Sequence, residues 1–164
     1  MSEFSISSED FKEGEEIPKN CGYKNGNKEP DIGFDGIPDG TKALALIMDD
    51  PDAMAAVGKV WVHWLMCNIP NHPMNQGSIP FVGSEERVGV NKAIWDAIVD
   101  GENDFGDHGY GGPAPPDKRH TYIFKAYALN TQLDLKEGYS KQELEDAMKG
   151  HIIAEAKLTG TYAP

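Results

Sequence analysis

The chain has 164 residues, 39% of them hydrophobic, and a formal net charge of −12. That length fits one domain over residues 1–164, able to bury about 70% of its unfolded surface without disulfides or metal. The acidity excludes electrostatic binding of nucleic acid or an anionic membrane, and no run approaches the roughly 20 apolar residues of a membrane span.

Eighteen Gly and eleven Pro favour short strands and turns over a helical bundle. The two cysteines, Cys21 and Cys67, lie far apart, and Cys67 sits in an apolar run, which points to buried free thiols. The start, Met1-Ser2-Glu3-Phe4, lacks the basic and apolar stretches of a secretory signal, so a cytoplasmic protein is expected.

The N-terminal region is punctuated by Gly14, Gly22, Asn25-Gly26, Gly33 and Gly36, leaving room only for short strands. Residues 43–48, Ala-Leu-Ala-Leu-Ile-Met, read as a buried strand that stops at Asp49-Asp50-Pro51-Asp52. Residues 60–69 read as a central strand closed by Pro70. A period of two puts Val60, Val62, Trp64 and Met66 on one face and Trp61, His63, Leu65 and Cys67 on the other.

Residues 83–118 read as mostly irregular, with a short element within 88–99. Residues 120–129 form a third strand, with His120, Tyr122, Phe124, Ala126 and Ala128 on one face. Ser140-Lys141-Gln142-Glu143 is a capping box, followed by Leu144, Ala147 and Met148 on one helical face and by Gly150. A last strand alternates Ile152, Ala154, Ala156 and Leu158, and the tail Gly160-Thr161-Tyr162 follows. Strands dominate and no strand–helix alternation appears, so the expectation is an all-β fold with minor α, an antiparallel sandwich or barrel.

Three segments carry polar groups suited to a small anion. In the third strand, His120 and Tyr122 lie about 6–7 Å apart on one face, so an imidazole and a phenol can donate to one oxyanion. His63 lies in another central strand, and a buried imidazole needs a partner. Asp49-Asp50-Pro51-Asp52 ends a strand, where a carboxylate beside an imidazole favours its protonated, anion-binding form. Gly111-Gly112-Pro113 and Pro115-Pro116 make a stiff loop with amides, and His108 and Tyr110 precede it. His72 and His151 look incidental.

Each feature also has a plain structural reading: satisfied core histidines, a solvated turn, a loop closing the sandwich. A metal site from His63, His120, Asp50 and Asp52 lacks the ligand spacing of known motifs. No nucleophile elbow is present, and Cys67 reads as buried rather than activated. The inventory therefore suits a binding module with no catalytic residues, no cofactor and no metal.

At these residues the chain resembles the phosphatidylethanolamine-binding protein family, which includes the Raf kinase inhibitor proteins and bacterial and archaeal homologues. The match runs through Gly36-Ile37-Pro38-Asp39-Gly40, Asp49-Asp50-Pro51-Asp52-Ala53, Val62-His63-Trp64 and Asn68-Ile69-Pro70. It continues through Asn103-Asp104-Phe105-Gly106, Gly109-Tyr110-Gly111-Gly112-Pro113, Pro115-Pro116 and His120-x-Tyr122-x-Phe124, and ends at Leu158-x-Gly160-x-Tyr162. The resemblance implies an antiparallel Greek-key β-sandwich with one late helix and a small anion pocket at one end. That pocket would recognise phosphate or phosphoryl head groups such as that of phosphatidylethanolamine. The positions matching the family's pocket are Asp50, Asp52, His63, Gly112, Pro113, His120 and Tyr122, with Trp61 as an aromatic wall and Tyr110 near the rim. The resemblance also implies, as an alternative, a regulatory protease or kinase inhibitor or scaffold, and leaves a homodimer open; a metal-assisted hydrolase is a third reading. The chain departs from the family pattern at Met54, at Asp117-Lys118-Arg119 before the second histidine, and at Thr121 after it.

Overall fold

A computed structural model describes residues 3–71 and 96–164. The elements, in chain order, are β1 (Ser5–Ser7), a single 3-10 turn (Lys19–Cys21), β2 (Gly33–Asp35), β3 (Ala43–Asp50), α1 (Ala53–Val57), β4 (Trp61–Pro70), β5 (Val99–Asp100), β6 (His120–Leu129), α2 (Lys141–Met148) and β7 (Ile152–Tyr162). The fold is mostly β with few helices. Its described strands form two antiparallel sheets, a β1–β2 pair and a five-stranded sheet in the order β5-β4-β3-β6-β7. Most of the expected 88–99 element lies outside the described residues.

The central position of β3 follows from its composition. Its apolar run leaves no polar face, and all eight residues are buried. Its even-numbered residues Leu44, Leu46 and Met48 pack with Phe4, Ile6, Ile17 and Phe34 of the N-terminal region. Ala45 and Ile47 pack on the opposite side with Leu133, Tyr139 and Leu144. The sheet thus has a core on each face, one covered by the N-terminal segment and the other by α2.

The α2 helix begins where its sequence signal lies. The Ser140 side chain accepts from the Glu143 amide, and the Glu143 carboxylate accepts from the Ser140 amide. Leu144 and Met148 are its buried residues. The Asp49 carboxylate, 2% exposed, accepts from Lys125 Nζ at 3.1 Å and from Lys141 Nζ at 2.9 Å. This pins α2 to the sheet.

Three local features differ from the expectation. β3 runs two residues further, to Asp50, and α1 follows it. β7 absorbs the Gly160-Thr161-Tyr162 tail, because Ile17 and Phe11 press on the strand at Gly160. A Cβ there would sit 2.7 Å from both side chains. β4 carries two bulges, where its register against β3 shifts between Leu44 and Leu46 and again between Met48 and Asp49. The first contains Asn68 at φ 55°, whose side chain donates to the Leu133 carbonyl and accepts from its amide at 2.8 and 2.7 Å. The second shapes the site.

Candidate functional site

The end of β3 meets the starts of β4 and β6, since Asp50 pairs with Trp61 and Asp49 with Ile123. At the second bulge Met48 pairs with Trp64 while Asp49 pairs with Val62, so His63 is the additional residue. A bulge of this kind re-aims side chains. Val62 joins the core beneath α2, whereas His63 contacts Tyr122 and Trp64 lies in the same core as Tyr122. His63 therefore faces away from Leu65 and Cys67, contrary to the period-two expectation.

His63 is 3% exposed, and its Nδ1 donates to the Gly111 carbonyl at 2.6 Å. The Gly111 amide donates back to the His63 carbonyl at 2.8 Å. A carbonyl partner fixes the proton on Nδ1 and leaves Nε2 as an acceptor. Burial pushes the pKa down to about 4, against a smaller opposing pull from the Gly111 and Gly112 backbone. The ring is thus neutral at physiological pH and offers no positive charge to an anion.

The charged imidazole is His120. Its ring is 1% exposed, with Nδ1 2.6 Å from Asp50 Oδ2 and Nε2 2.7 Å from Asp117 Oδ1. Burial disfavours the charge, but the two carboxylates outweigh it and raise the pKa. With both nitrogens on carboxylate oxygens, the protonated ring donates twice. Burial raises the Asp50 pKa, with His120 pulling the other way, and His120 lowers that of Asp117.

Tyr122 stands between the two imidazoles, with ring centroids 5.1 Å from His63 and 6.3 Å from His120. Among the described residues its buried hydroxyl has no hydrogen-bond partner, and neither does Trp61 Nε1. Burial pushes the phenol far above its ordinary pKa, so it stays a donor. The Ala114 backbone offsets a little of that rise without reaching hydrogen-bond geometry.

Asp50, Trp61, His63, His120 and Tyr122 line a cavity of about 280 Å³. One wall is aromatic: Tyr23 stacks on Phe105 at 3.8 Å, and Phe105 meets Trp61 edge-on at 5.4 Å. Ala53, Ala56 and Val57 of α1 form another, Ala114 and Pro116 a third, and Lys24 adds a cation. The hollow therefore has room for a small ligand.

Of the residues singled out from sequence, Asp50, Trp61, His63, His120 and Tyr122 line this cavity, while Asp52, Tyr110, Gly112 and Pro113 stand behind it. Asp52 Oδ2 accepts from the Thr121 amide at 2.8 Å, and its own amide donates to Asp50 Oδ1 at 3.0 Å. It ties the β3 turn to β6. The Tyr110 hydroxyl donates to the Cys21 carbonyl at 2.8 Å. The Gly112 amide donates to Asn27 Oδ1 at 2.7 Å, and the Pro113 carbonyl accepts from the Tyr23 amide at 2.9 Å. These backbone groups hold the N-terminal loop. His108 pairs with Glu137 and His151 with Asn130.

Tyr23, Lys24, Phe105 and the α1 residues did not emerge from the sequence as site residues. For α1 a signal exists: Asp52 precedes an Ala-rich run ended by Gly58 at φ 80°. Among the described residues, no group of three or more His, Cys, Asp or Glu is arranged to hold a metal ion. Cys21 and Cys67 are buried free thiols, the first pushed by burial to about 12 and the second also raised.

An antiparallel β fold with histidines from two strands lining an open-sided hollow defines a ligand-binding domain. The family model for phosphatidylethanolamine-binding protein matches residues 7–163, and the chain belongs to that family. It is 43% identical over 152 residues to the UPF0098 protein of Methanothermobacter thermautotrophicus, covering 93% of each chain. It is 38% identical over 159 residues to that of Chlamydia muridarum, covering 96% of this chain and 97% of the relative. Among solved structures, it is similar to the phosphatidylethanolamine-binding protein homologue of Chlamydia trachomatis, with a TM-score of 0.79 at 34% identity, covering 99% and 98% of the two chains. It is also similar to YbcL of E. coli, described as a member of the mammalian PEBP family, with a TM-score of 0.76 at 30% identity and 98% of each chain covered.

Proposed function

We propose that the protein is a binding module for a phosphoryl head group, and that its pocket performs no covalent chemistry. The observation that carries this reading is the pair of unpartnered buried donors, Tyr122 Oη and Trp61 Nε1, in side chains lining the same cavity as a cationic histidine. A buried donor without a partner costs about 1–3 kcal/mol, and a ligand acceptor removes that cost. In this reading His120 supplies charge, and Tyr122 and Trp61 donate. Neutral His63 accepts through Nε2 from a protonated phosphoryl oxygen or an amino group.

Family membership supports a ligand of this chemistry. The buried thiols, with raised pKa values, make poor nucleophiles. Titration with phosphoethanolamine, followed by calorimetry and by the imidazole resonances of His63 and His120, tests the reading. Saturable binding that shifts both histidines is expected; no heat and no response at either ring would overturn it.

A further inference from the structure

His120 has more carboxylate than its orientation requires. Asp50, at 2.6 Å from Nδ1, is buried and already sets the ring's tilt. Asp117 approaches the other nitrogen at 2.7 Å from a different kind of position. It lies on the irregular loop between Pro116 and β6, and its side chain is 41% exposed. Among the described residues its only charged partner is His120. The neighbouring Arg119 turns away, to Glu16 Oε1 at 3.4 Å and Thr161 Oγ1 at 3.1 Å.

The consequence is geometric. Among the described residues His63 and His120 are the imidazoles of the cavity, and His63 is a neutral acceptor. The one cationic imidazole donor, His120 Nε2, is occupied by the protein's own carboxylate. Carboxylate and phosphoryl oxygens make the same charge-assisted hydrogen bond to an imidazolium. Resting on the phosphoryl-pocket reading, we propose that Asp117 is an internal competitor, holding the anion position on His120 until a ligand oxygen displaces it. A partly exposed side chain on a loop can swing outward, whereas Asp50, on β3, cannot.

Displacement leaves the Asp117 carboxylate beside the ligand without its cation. A bare phosphate meets that negative charge, while a ligand carrying an ammonium group next to its phosphoryl group gives the carboxylate a new partner. The competitor therefore weakens inorganic phosphate more than phosphoethanolamine.

The test measures Kd for inorganic phosphate and for phosphoethanolamine at about pH 6, where His120 is protonated, in wild type, Asp117→Ala and the isosteric Asp117→Asn. Asp134→Ala, at the far end of the roughly 30 Å β6 strand, controls for loss of one negative charge. Phosphate should bind Asp117→Ala about tenfold tighter than wild type, phosphoethanolamine should gain less, and Asp134→Ala should match wild type. Asp117→Asn should gain in the same direction. Phosphate binding wild type and Asp117→Ala equally, or gaining as much in Asp134→Ala, would overturn the competitor while leaving the pocket intact. Neither ligand binding any variant would overturn the pocket reading itself.

Discussion

The rings of His63 and Tyr122 meet edge to face at 5.1 Å although β3 runs between their strands. The contact exists because the bulge at His63 turns that side chain onto the face that β6 gives to Tyr122. His63 is thereby sealed against the Gly111 carbonyl as a neutral ring, which has a consequence for pH. Its pKa falls from 6.5 to about 4 on folding, so folding is favoured above pH 6.5 and loses that contribution as pH falls from 6.5 to about 4. The full effect is about 3 kcal/mol. His63→Asn keeps a donor near the Nδ1 position and removes the titration. The difference in unfolding free energy between wild type and His63→Asn should therefore shrink across that pH window. Urea melts at several pH values measure it, and a constant difference would refute the neutral ring.

Tyr122→Phe separates ligand binding from folding. The buried hydroxyl has no partner among the described residues, so its removal relieves a desolvation cost instead of breaking a bond. The unliganded variant should be as stable as wild type or about 1 kcal/mol more stable, while phosphate affinity drops several-fold. Thermal melts and calorimetry read the two effects. A variant less stable by more than a kcal/mol would show that the hydroxyl is bonded.

Asp50→Asn acts on His120. The 2.6 Å pair is almost wholly buried, and removing one partner of such a pair costs about 3–5 kcal/mol. The His120 pKa should move down, because the first of its two carboxylates is gone. In wild type the raised pKa means that His120 contributes its stability fully below the ordinary histidine value, and that the contribution is lost as pH rises through the raised folded value. The variant should show a smaller loss on the alkaline side. An NMR titration of the His120 ring in both proteins, with melts alongside, checks this; an unmoved His120 pKa would contradict the assigned coupling.

The parts of the site that were legible in the sequence are those on uninterrupted strands. β6 keeps unbroken register with β3, and against β7 it shifts only beyond Ala128. Simple alternation therefore places His120 and Tyr122 together correctly. The Pro51-Asp52 turn and the capping box were legible because each is made by neighbours in sequence, although β3 runs on to Asp50. The facing of His63 was not, because a bulge breaks alternation at one residue and leaves no mark in the local composition. Nor were Tyr23 and Phe105, whose stack joins residues 82 positions apart across two loops. The neutrality of His63 was hidden too, since it follows from a burial that only the tertiary fold supplies.

Gly112 illustrates how a residue can be required by the site without touching a ligand. Its amide is bonded to Asn27, and a Cβ at this position would lie 2.0 Å from the Cys21 carbonyl oxygen and 2.9 Å from the Tyr23 amide. Both obstacles are backbone, so neither can rotate away. Gly112→Ala must push the N-terminal loop off the Gly111-Gly112-Pro113 segment, and Tyr23 and Lys24 leave the pocket with it. We expect a loss of about 3 kcal/mol or more in stability, and in the fraction that folds, a weaker grip on phosphoethanolamine with little change in the His120 pKa. Asn27→Ala, which removes the Gly112 amide's acceptor without a clash, should cost less, about 1–3 kcal/mol. Urea denaturation ranks the two variants. If Gly112→Ala proved the milder, the Cys21 backbone would not lie against this glycine, and the wall that carries Tyr23 would need another anchor.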